Sequence, residues 1–127
     1  MTKILLVDDE PALLESMRSY LTRLGHSVVA FSGASPAWEC FDADPAAFSL
    51  IIVDMTLGGM PGAELIQKIL ERNPDAAVLA TSGYPGSLRN LGGPSGAHIV
   101  MLEKPFTPRM LTDALQSLLG GKPESTS

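Results

Sequence analysis

The chain has few of the features typical of secreted, membrane-spanning or nucleic-acid-binding proteins. One cysteine, Cys40, in 127 residues excludes an internal disulfide and a cysteine-rich metal site. No apolar run approaches the ~20 residues that cross a bilayer, and the apolar run near the amino terminus is too short for a signal peptide. The nine lysines and arginines form no basic run, and the formal net charge of -5 disfavours binding to nucleic acid. We therefore expect a cytoplasmic protein with no membrane insertion and no direct contact with nucleic acid.

The composition is that of an ordinary globular protein. Hydrophobic residues make up 45% and charged residues 18% of the chain. A length of 127 residues suits one domain with a substantial core. We predict one folded domain over residues 1–121, followed by a polar tail over residues 122–127, and we find no repeat or linker that divides the chain.

Five short apolar runs, rich in β-branched residues, predict five strands, over residues 3–7, 27–31, 50–54, 77–81 and 98–102. Amphipathic segments separate most of these runs. Strands that alternate with helices indicate an α/β domain with a parallel sheet. The run that ends at Asp54 carries apolar residues at four consecutive positions, which is typical of a strand buried on both faces.

Helical spacing of apolar residues and start signals predict the helices. The first follows Asp8, Asp9 and Glu10 and begins at Pro11. The second has Ser35 as its N-cap and runs to about Phe41. The third covers residues 63–72, and the last begins after Thr107. Glycines and prolines crowd residues 83–96, so the helix between strands four and five is predicted to be weak or irregular. The expected buried stripes are Leu13, Leu14, Met17, Leu21 and Leu24, then Leu65, Ile66, Ile69 and Leu70, then Met110, Leu111, Ala114, Leu115, Leu118 and Leu119.

Polar side chains follow the carboxyl ends of four strands. Asp8 and Asp9 come after the first strand, Asp54 ends the third, Ser82 follows the fourth and Lys104 follows the fifth. Ligands of open α/β sheets bind outside the carboxyl ends of the strands. We therefore expect these side chains to form one site.

Three clustered carboxylates would repel one another and raise one another's pKa values. A bound cation relieves this repulsion, and a set of oxygen ligands suits a hard ion. Mg²⁺ fits best, because it needs only a few carboxylates and keeps some of its water. The predicted ligands are Asp8, Asp9 and Asp54, and the backbone carbonyl of Met55 can add another.

An ionised carboxylate can attack phosphorus and form an aspartyl-phosphate, which makes Asp54 the candidate nucleophile. The transferred phosphoryl group then needs positive charge at its oxygens. Mg²⁺ supplies part of this charge and the ammonium of Lys104 supplies the rest. The hydroxyl of Ser82 can donate a further hydrogen bond.

With these motifs in place, the chain resembles the receiver domain of two-component response regulators over essentially its whole length. The motifs are Val7-Asp8-Asp9-Glu10-Pro11, Ile51-Ile52-Val53-Asp54-Met55, Thr81-Ser82-Gly83 and Lys104-Pro105-Phe106. The resemblance implies a doubly wound, flavodoxin-like sheet in the order 2-1-3-4-5. It implies a phosphoacceptor signalling module of a two-component phosphorelay, which takes its phosphoryl group from a histidine kinase or a histidine phosphotransfer protein and switches contacts with a downstream protein target. It also implies that the domain is not an enzyme, since it catalyses only its own phosphoryl transfer and autodephosphorylation.

The same resemblance implies residue roles. Asp54 accepts the phosphoryl group, Asp8 and Asp9 hold Mg²⁺, and Ser82 and Lys104 contact the phosphoryl group, with a cis bond between Lys104 and Pro105. Ser82 is also a switch residue.

Three further positions bear on how the domain reports its state. Met101 stands at the other switch position, where the family commonly has an aromatic residue. Thr56 and Tyr84 flank the site, either as modulators of the phosphoryl lifetime or as ordinary loop residues. Ser82-Gly83-Tyr84-Pro85, with the glycine-rich stretch that follows, is similar to receivers attached to hybrid histidine kinases.

Two alternative functions stay open at the level of sequence. The first is a receiver-like scaffold that works without phosphorylation; Met101 and the irregular segment keep it open, whereas the complete set of acids, hydroxyl and lysine argues against it. The second is a phosphohydrolase with an Asp nucleophile and Mg²⁺. The common pattern of such phosphatases has a second acid two residues after the nucleophile, where this chain has Thr56.

Overall fold

A computed structural model describes residues 3–57, 60–83 and 98–120 of the chain. Five parallel strands form one sheet in the order β2-β1-β3-β4-β5. The elements are β1 Lys3–Val7, α1 Pro11–Arg23, β2 Ser27–Phe31, α2 Ala34–Ala43, β3 Leu50–Asp54, α3 Gly62–Arg72, β4 Ala77–Ser82, β5 His98–Glu103 and α4 Pro108–Leu115. The predicted fold class and strand order are therefore confirmed.

Strands β1 and β3 lie inside the sheet because their sequences are almost entirely apolar. Every residue of β3 is buried, and Ile4 to Val7 of β1 are buried as well. Strands of this kind need cover on both faces, which only the middle of a helix-covered parallel sheet provides. Val7 pairs with Val53, so the residues that follow the apolar runs of β1 and β3 leave the sheet at the same level.

Helices cover the sheet in two layers. Helices α2 and α3 pack on one face, and α1 and α4 pack on the other. The predicted stripe of α3 is confirmed, since Leu65, Ile66, Ile69 and Leu70 are all buried. Burial of a leucine or isoleucine side chain of this kind contributes about 1.5–3 kcal/mol. This packing holds α3 against the strand that ends in Asp54.

The predicted start of α2 was wrong. Gly33 is the N-cap, and Ser35 is the second residue of the helix. Because Ala34 is buried in the core, α2 begins one residue before Ser35. Pro36 is tolerated at the third helical position, because the N–H groups of a first turn have no acceptor within the helix.

Two residues assigned to buried stripes lie at the surface. Leu24 is 46% exposed, because it stands at the C-cap of α1, directly before Gly25 turns the chain with a φ of 101°. Met110 is 41% exposed, and its sulfur accepts the backbone N–H of Thr107 at 3.5 Å. The Met110 side chain therefore bends back over the first turn of α4 instead of pointing into the core.

Several boundaries differ from the predicted ones by a residue. Strand β4 extends to Ser82, β5 extends to Glu103, and α3 begins at Gly62. The α-helical part of α4 ends at Leu115, and a π-helical turn over Gln116–Gly120 follows it. In that turn Leu118 and Leu119 still pack against the core, as their stripe positions predict.

Other predictions concern residues that the structure does not describe. The irregular segment between β4 and β5, with Tyr84 in it, and the polar tail over residues 122–127 lie outside the described residues. Among the described residues, none of the helices is long and apolar enough to cross a membrane.

Candidate functional site

The predicted site residues come together at the carboxyl edge of the sheet. Asp8 follows β1, Asp54 ends the neighbouring β3, and Ser82 ends β4. Asp54 pairs with Thr81, so Ser82 lies one residue further along the same edge. Asp8, Asp54 and Ser82 are each at most 2% exposed. Buried polar groups of this kind require partners, because water cannot solvate them.

Three carboxylates form the acidic part of the site. Asp8, Asp9 and Asp54 each offer an oxygen, and these oxygens all lie within 4.8 Å of one another. Asp9 is exposed, whereas Asp8 and Asp54 are buried. An all-oxygen group with one solvent-facing member fits Mg²⁺, which binds through a few carboxylates and retains water.

The ammonium of Lys104 lies between the two buried acids. Its Nζ is 3.2 Å from Oδ2 of Asp8 and 3.3 Å from Oδ2 of Asp54. Its backbone N–H donates to the carbonyl of Ser82 at 2.7 Å, which fixes the start of the loop after β5. The bond from Lys104 to Pro105 is cis, as the resemblance implies. The lysine therefore crosses the end of β4 to reach acids that belong to β1 and β3.

Burial and the charge of the opposite partner shift the pKa values of Asp8 and Lys104 in opposite directions. Burial raises the pKa of Asp8 above its ordinary value, although the backbone N–H of Glu10 and the charge of Lys104 partly offset this rise. Burial alone would lower the pKa of Lys104, but the charges of Asp8 and Asp54 raise that pKa above its ordinary value. Lys104 therefore stays cationic and compensates carboxylates that are costly to bury.

Thr56 contacts the other oxygen of Asp54. Both its backbone N–H, at 3.0 Å, and its hydroxyl, at 2.9 Å, lie within hydrogen-bond distance of Oδ1. Asp54 is therefore held on both sides, by Thr56 at Oδ1 and by Lys104 at Oδ2. Sequence alone places Thr56 only beside the site.

Gly62 is a residue of the site that the sequence analysis did not identify. A Cβ at this position would lie 2.4 Å from the carbonyl oxygen of Asp54 and 2.5 Å from Cα of Met55. The backbone N–H of Gly62 donates to the carbonyl of Met55 at 3.3 Å. The first turn of α3 thus rests directly on the backbone that carries Asp54, and only glycine leaves room for this approach. Its position directly after Pro61 at a helix start was the available signal.

Glu10 is a second residue that the sequence analysis left without a role in the site. Its Oε1 is 3.9 Å from Nζ of Lys104, and its backbone N–H donates to Oδ1 of Asp8 at 2.9 Å. Its position directly after the acid pair of β1 was the available signal. Met101, by contrast, lies on the edge strand β5 and is 43% exposed.

The comparison with known families agrees with this geometry. The chain matches the response regulator receiver domain family over residues 4–116. The chain belongs to this family. As a receiver domain of two-component response regulators, it is a phosphoacceptor signalling module and not a classical enzyme. Neither the scaffold nor the phosphohydrolase alternative is favoured by this membership.

Individual relatives support the same assignment. The chain is 27% identical over 119 residues to the response regulator receiver protein CpdR of Brucella abortus, covering 94% of this chain and 98% of CpdR. It is 30% identical over 124 residues to the chemotaxis protein CheY1 of Helicobacter pylori, covering 93% of this chain and 97% of CheY1. The solved structure of the response regulator TrrA of Thermotoga maritima, in complex with Mg²⁺-BeF, has a TM-score of 0.83 and 26% identity, covering 94% of this chain and 100% of TrrA.

Proposed function

We propose that Asp54 is the phosphoacceptor of this receiver domain and that Asp8, Asp9, Asp54 and the Met55 carbonyl hold Mg²⁺. The observation that carries the proposal is the Asp54 carboxylate, buried and in contact with Lys104 at 3.3 Å beside two further acids. The donor is the phosphohistidine of a histidine kinase or a histidine phosphotransfer protein. The setting is the cytoplasm, without membrane insertion or direct nucleic-acid contact, and the read-out is a changed contact with a downstream protein.

The reaction follows from the groups present. A carboxylate oxygen of Asp54 attacks phosphorus, the P–N bond to the donor imidazole breaks, and its electron pair stays on the imidazole nitrogen, which takes a proton from water. The product on this chain is an acyl phosphate. When held by these acids, Mg²⁺ would supply positive charge that offsets the negative charge of the transferred phosphoryl group. Lys104 supplies a second cation, and Ser82 donates a hydrogen bond to the phosphoryl group.

The later steps involve the same edge of the sheet. Water hydrolyses the acyl phosphate in autodephosphorylation, and Thr56 and Tyr84 modulate its lifetime. The Thr56 hydroxyl supports this role, since it lies 2.9 Å from Oδ1 of Asp54. Ser82 and Met101 form the switch, and the exposure of Met101 suits a residue whose packing changes with the phosphorylation state.

The position of the phosphate tests the proposal directly. The chain is treated with acetyl phosphate and Mg²⁺, and borohydride then reduces the acyl phosphate to homoserine. We expect one phosphate per chain by intact mass, and homoserine at position 54 by peptide sequencing in a mass spectrometer. A parallel sample without Mg²⁺ is expected to remain largely unlabelled. Homoserine at position 8 or 9, or a phosphate on a hydroxyl residue that resists borohydride, would overturn the assignment.

Mg²⁺ is also expected to stabilise the folded domain. A ligand that binds only the native state at 100 times its Kd raises the free energy of unfolding by about 2.7 kcal/mol. We expect this increase in urea unfolding of the wild-type chain and its loss in Asp8→Asn, which lacks one of the buried ligands.

Two controls separate metal binding from general effects of salt and charge. Sodium chloride of equal ionic strength replaces magnesium chloride, and Asp44→Asn removes an exposed acid after α2, away from the site. Asp44→Asn should respond to Mg²⁺ as the wild type does. An equal response of Asp8→Asn would place the ion elsewhere.

A further inference from the structure

Among the residues that the structure describes, Lys104 contacts three carboxylates that differ in exposure. The Asp8 and Asp54 oxygens are 3.2 and 3.3 Å from Nζ, and these side chains are 2% exposed. The Glu10 carboxylate is 3.9 Å away, and its side chain is 62% exposed. Two strong buried contacts and one longer contact at the rim thus surround one ammonium. In this arrangement Lys104 interacts mainly with Asp8 and Asp54.

A divalent cation would compete with the Lys104 ammonium for the carboxylate oxygens of Asp8 and Asp54. Oδ1 of Asp8 already accepts the Glu10 backbone N–H, and Oδ1 of Asp54 lies within hydrogen-bond distance of the backbone N–H and hydroxyl of Thr56. The positive ends of these donors point at the Oδ1 atoms. The two Oδ2 atoms are therefore the oxygens best placed for a cation, and both contact Lys104.

The Glu10 carboxylate is well placed to bind the Lys104 ammonium when that ammonium moves away from Asp8 and Asp54. It is the N-cap of α1, but among the described residues its side chain makes no capping hydrogen bond, so its carboxylate is not committed to the helix. Beside Glu10 and Lys104 lies an open pocket of about 390 Å³, whose other lining residues are Leu13, Pro105 and Phe106. This apolar lining suits the methylene stem of a lysine whose charged end turns towards the rim.

We propose that Glu10 is a positioning residue for Lys104: the Glu10 carboxylate takes over the Lys104 ammonium when Mg²⁺ occupies the Oδ2 atoms of Asp8 and Asp54 and no phosphoryl group is bound. This inference rests on the proposed function, because it takes these two acids as metal ligands. It adds that Mg²⁺ affinity depends on the reach of the Glu10 side chain and not only on its charge.

Glu10→Asp tests reach while keeping the charge. Asp is one methylene shorter, and at an N-cap its carboxylate prefers the N–H groups of the first turn. We expect Glu10→Asp to raise the Kd for Mg²⁺, measured by titration calorimetry, about threefold to fivefold, the size of a partly exposed ion pair. Glu10→Gln should raise it at least as much. Wild-type affinity in Glu10→Asp would show that Glu10 acts only through its long-range charge, and would overturn the proposal.

The Lys104→Met background shows whether the effect passes through the lysine. Without the ammonium there is nothing for Glu10 to receive, so Glu10→Asp should leave the Kd of Lys104→Met unchanged. An equal increase of Kd in both backgrounds would contradict the proposal. If Lys104→Met does not fold, the comparison of Glu10→Asp with Glu10→Gln and the wild type decides alone.

A spectroscopic signal gives a read-out besides affinity. The Cε resonance of Lys104 should shift when Mg²⁺ is added to the wild type, and to a different position in Glu10→Asp, because the displaced ammonium has no near carboxylate there. An identical shift in both proteins would count against the proposal. A wild type that binds no Mg²⁺ at all would instead refute the proposed function, so the two failures are distinguishable.

Discussion

Asp54→Asn is expected to lose phosphorylation from acetyl phosphate and Mg²⁺ by more than about 10³-fold, as expected for removal of a nucleophile. The amide is nearly the same size as the carboxylate, but it carries no negative charge and does not attack phosphorus. Because Asp54 is 1% exposed, the replacement must have nearly the same size and shape to fit the surrounding residues, and asparagine does. The measurement is the fraction of chain that gains one phosphate by intact mass.

A matched variant shows that the loss is specific to the site. Asp75→Asn makes the same chemical change at an exposed acid before β4. Asp75 lies at the amino ends of the strands, whereas Asp54 lies at their carboxyl ends. This variant should be phosphorylated as the wild type is. Urea unfolding of Asp54→Asn checks that the loss of labelling does not come from loss of the fold. Labelling of folded Asp54→Asn at the wild-type level would show that another residue accepts the phosphoryl group.

Gly62→Ala is expected to lower the free energy of unfolding by more than about 2 kcal/mol, within the range for overpacking against rigid atoms. The added Cβ would lie 2.4 Å from the carbonyl oxygen of Asp54, and a backbone atom cannot turn aside as a side chain does. Either α3 or the backbone after Asp54 must shift. Alanine has the higher helix propensity, so propensity alone predicts the opposite sign.

Gly33→Ala is the control for this prediction. Gly33 also stands at a helix start, but a Cβ there would lie 3.7 Å from Cδ of Pro36, which is ordinary contact. Its free energy of unfolding should change by less than about 1 kcal/mol, the typical difference between residues at an N-cap. Urea unfolding of both variants measures the difference. Equal stability of Gly62→Ala and the wild type would mean that α3 is free to move away from Asp54.

The same substitution has a consequence for the metal. The Met55 carbonyl, a proposed ligand, accepts the Gly62 N–H and lies next to the displaced atoms. We therefore expect Gly62→Ala to weaken Mg²⁺ binding as well as the fold, whereas Gly33→Ala should leave binding unchanged.

Much of the fold could be predicted because its determinants are local. Residues 50–53 and 4–7 are apolar without interruption, and this pattern is typical of buried parallel strands. Parallel strands bring their carboxyl ends to one edge, so the grouping of Asp8, Asp54 and Lys104 followed from the same reasoning. The start of α2 was less predictable, because burial of Ala34, and not the capping preference of Ser35, decided its first turn.

By itself the sequence determined the sheet, the family and the identity of the charged groups, because apolar periodicity and the motifs at strand ends are written along the chain. Only the tertiary structure decided how those groups meet. Lys104 and Asp8 are 96 residues apart, and their contact depends on strand order and register. The same holds for Gly62, whose need for glycine arises from a backbone that lies against it only after folding. The Lys104–Asp8 contact and the close approach at Gly62 both depend on atomic positions to within a few tenths of an ångström, and no local sequence pattern specifies such positions.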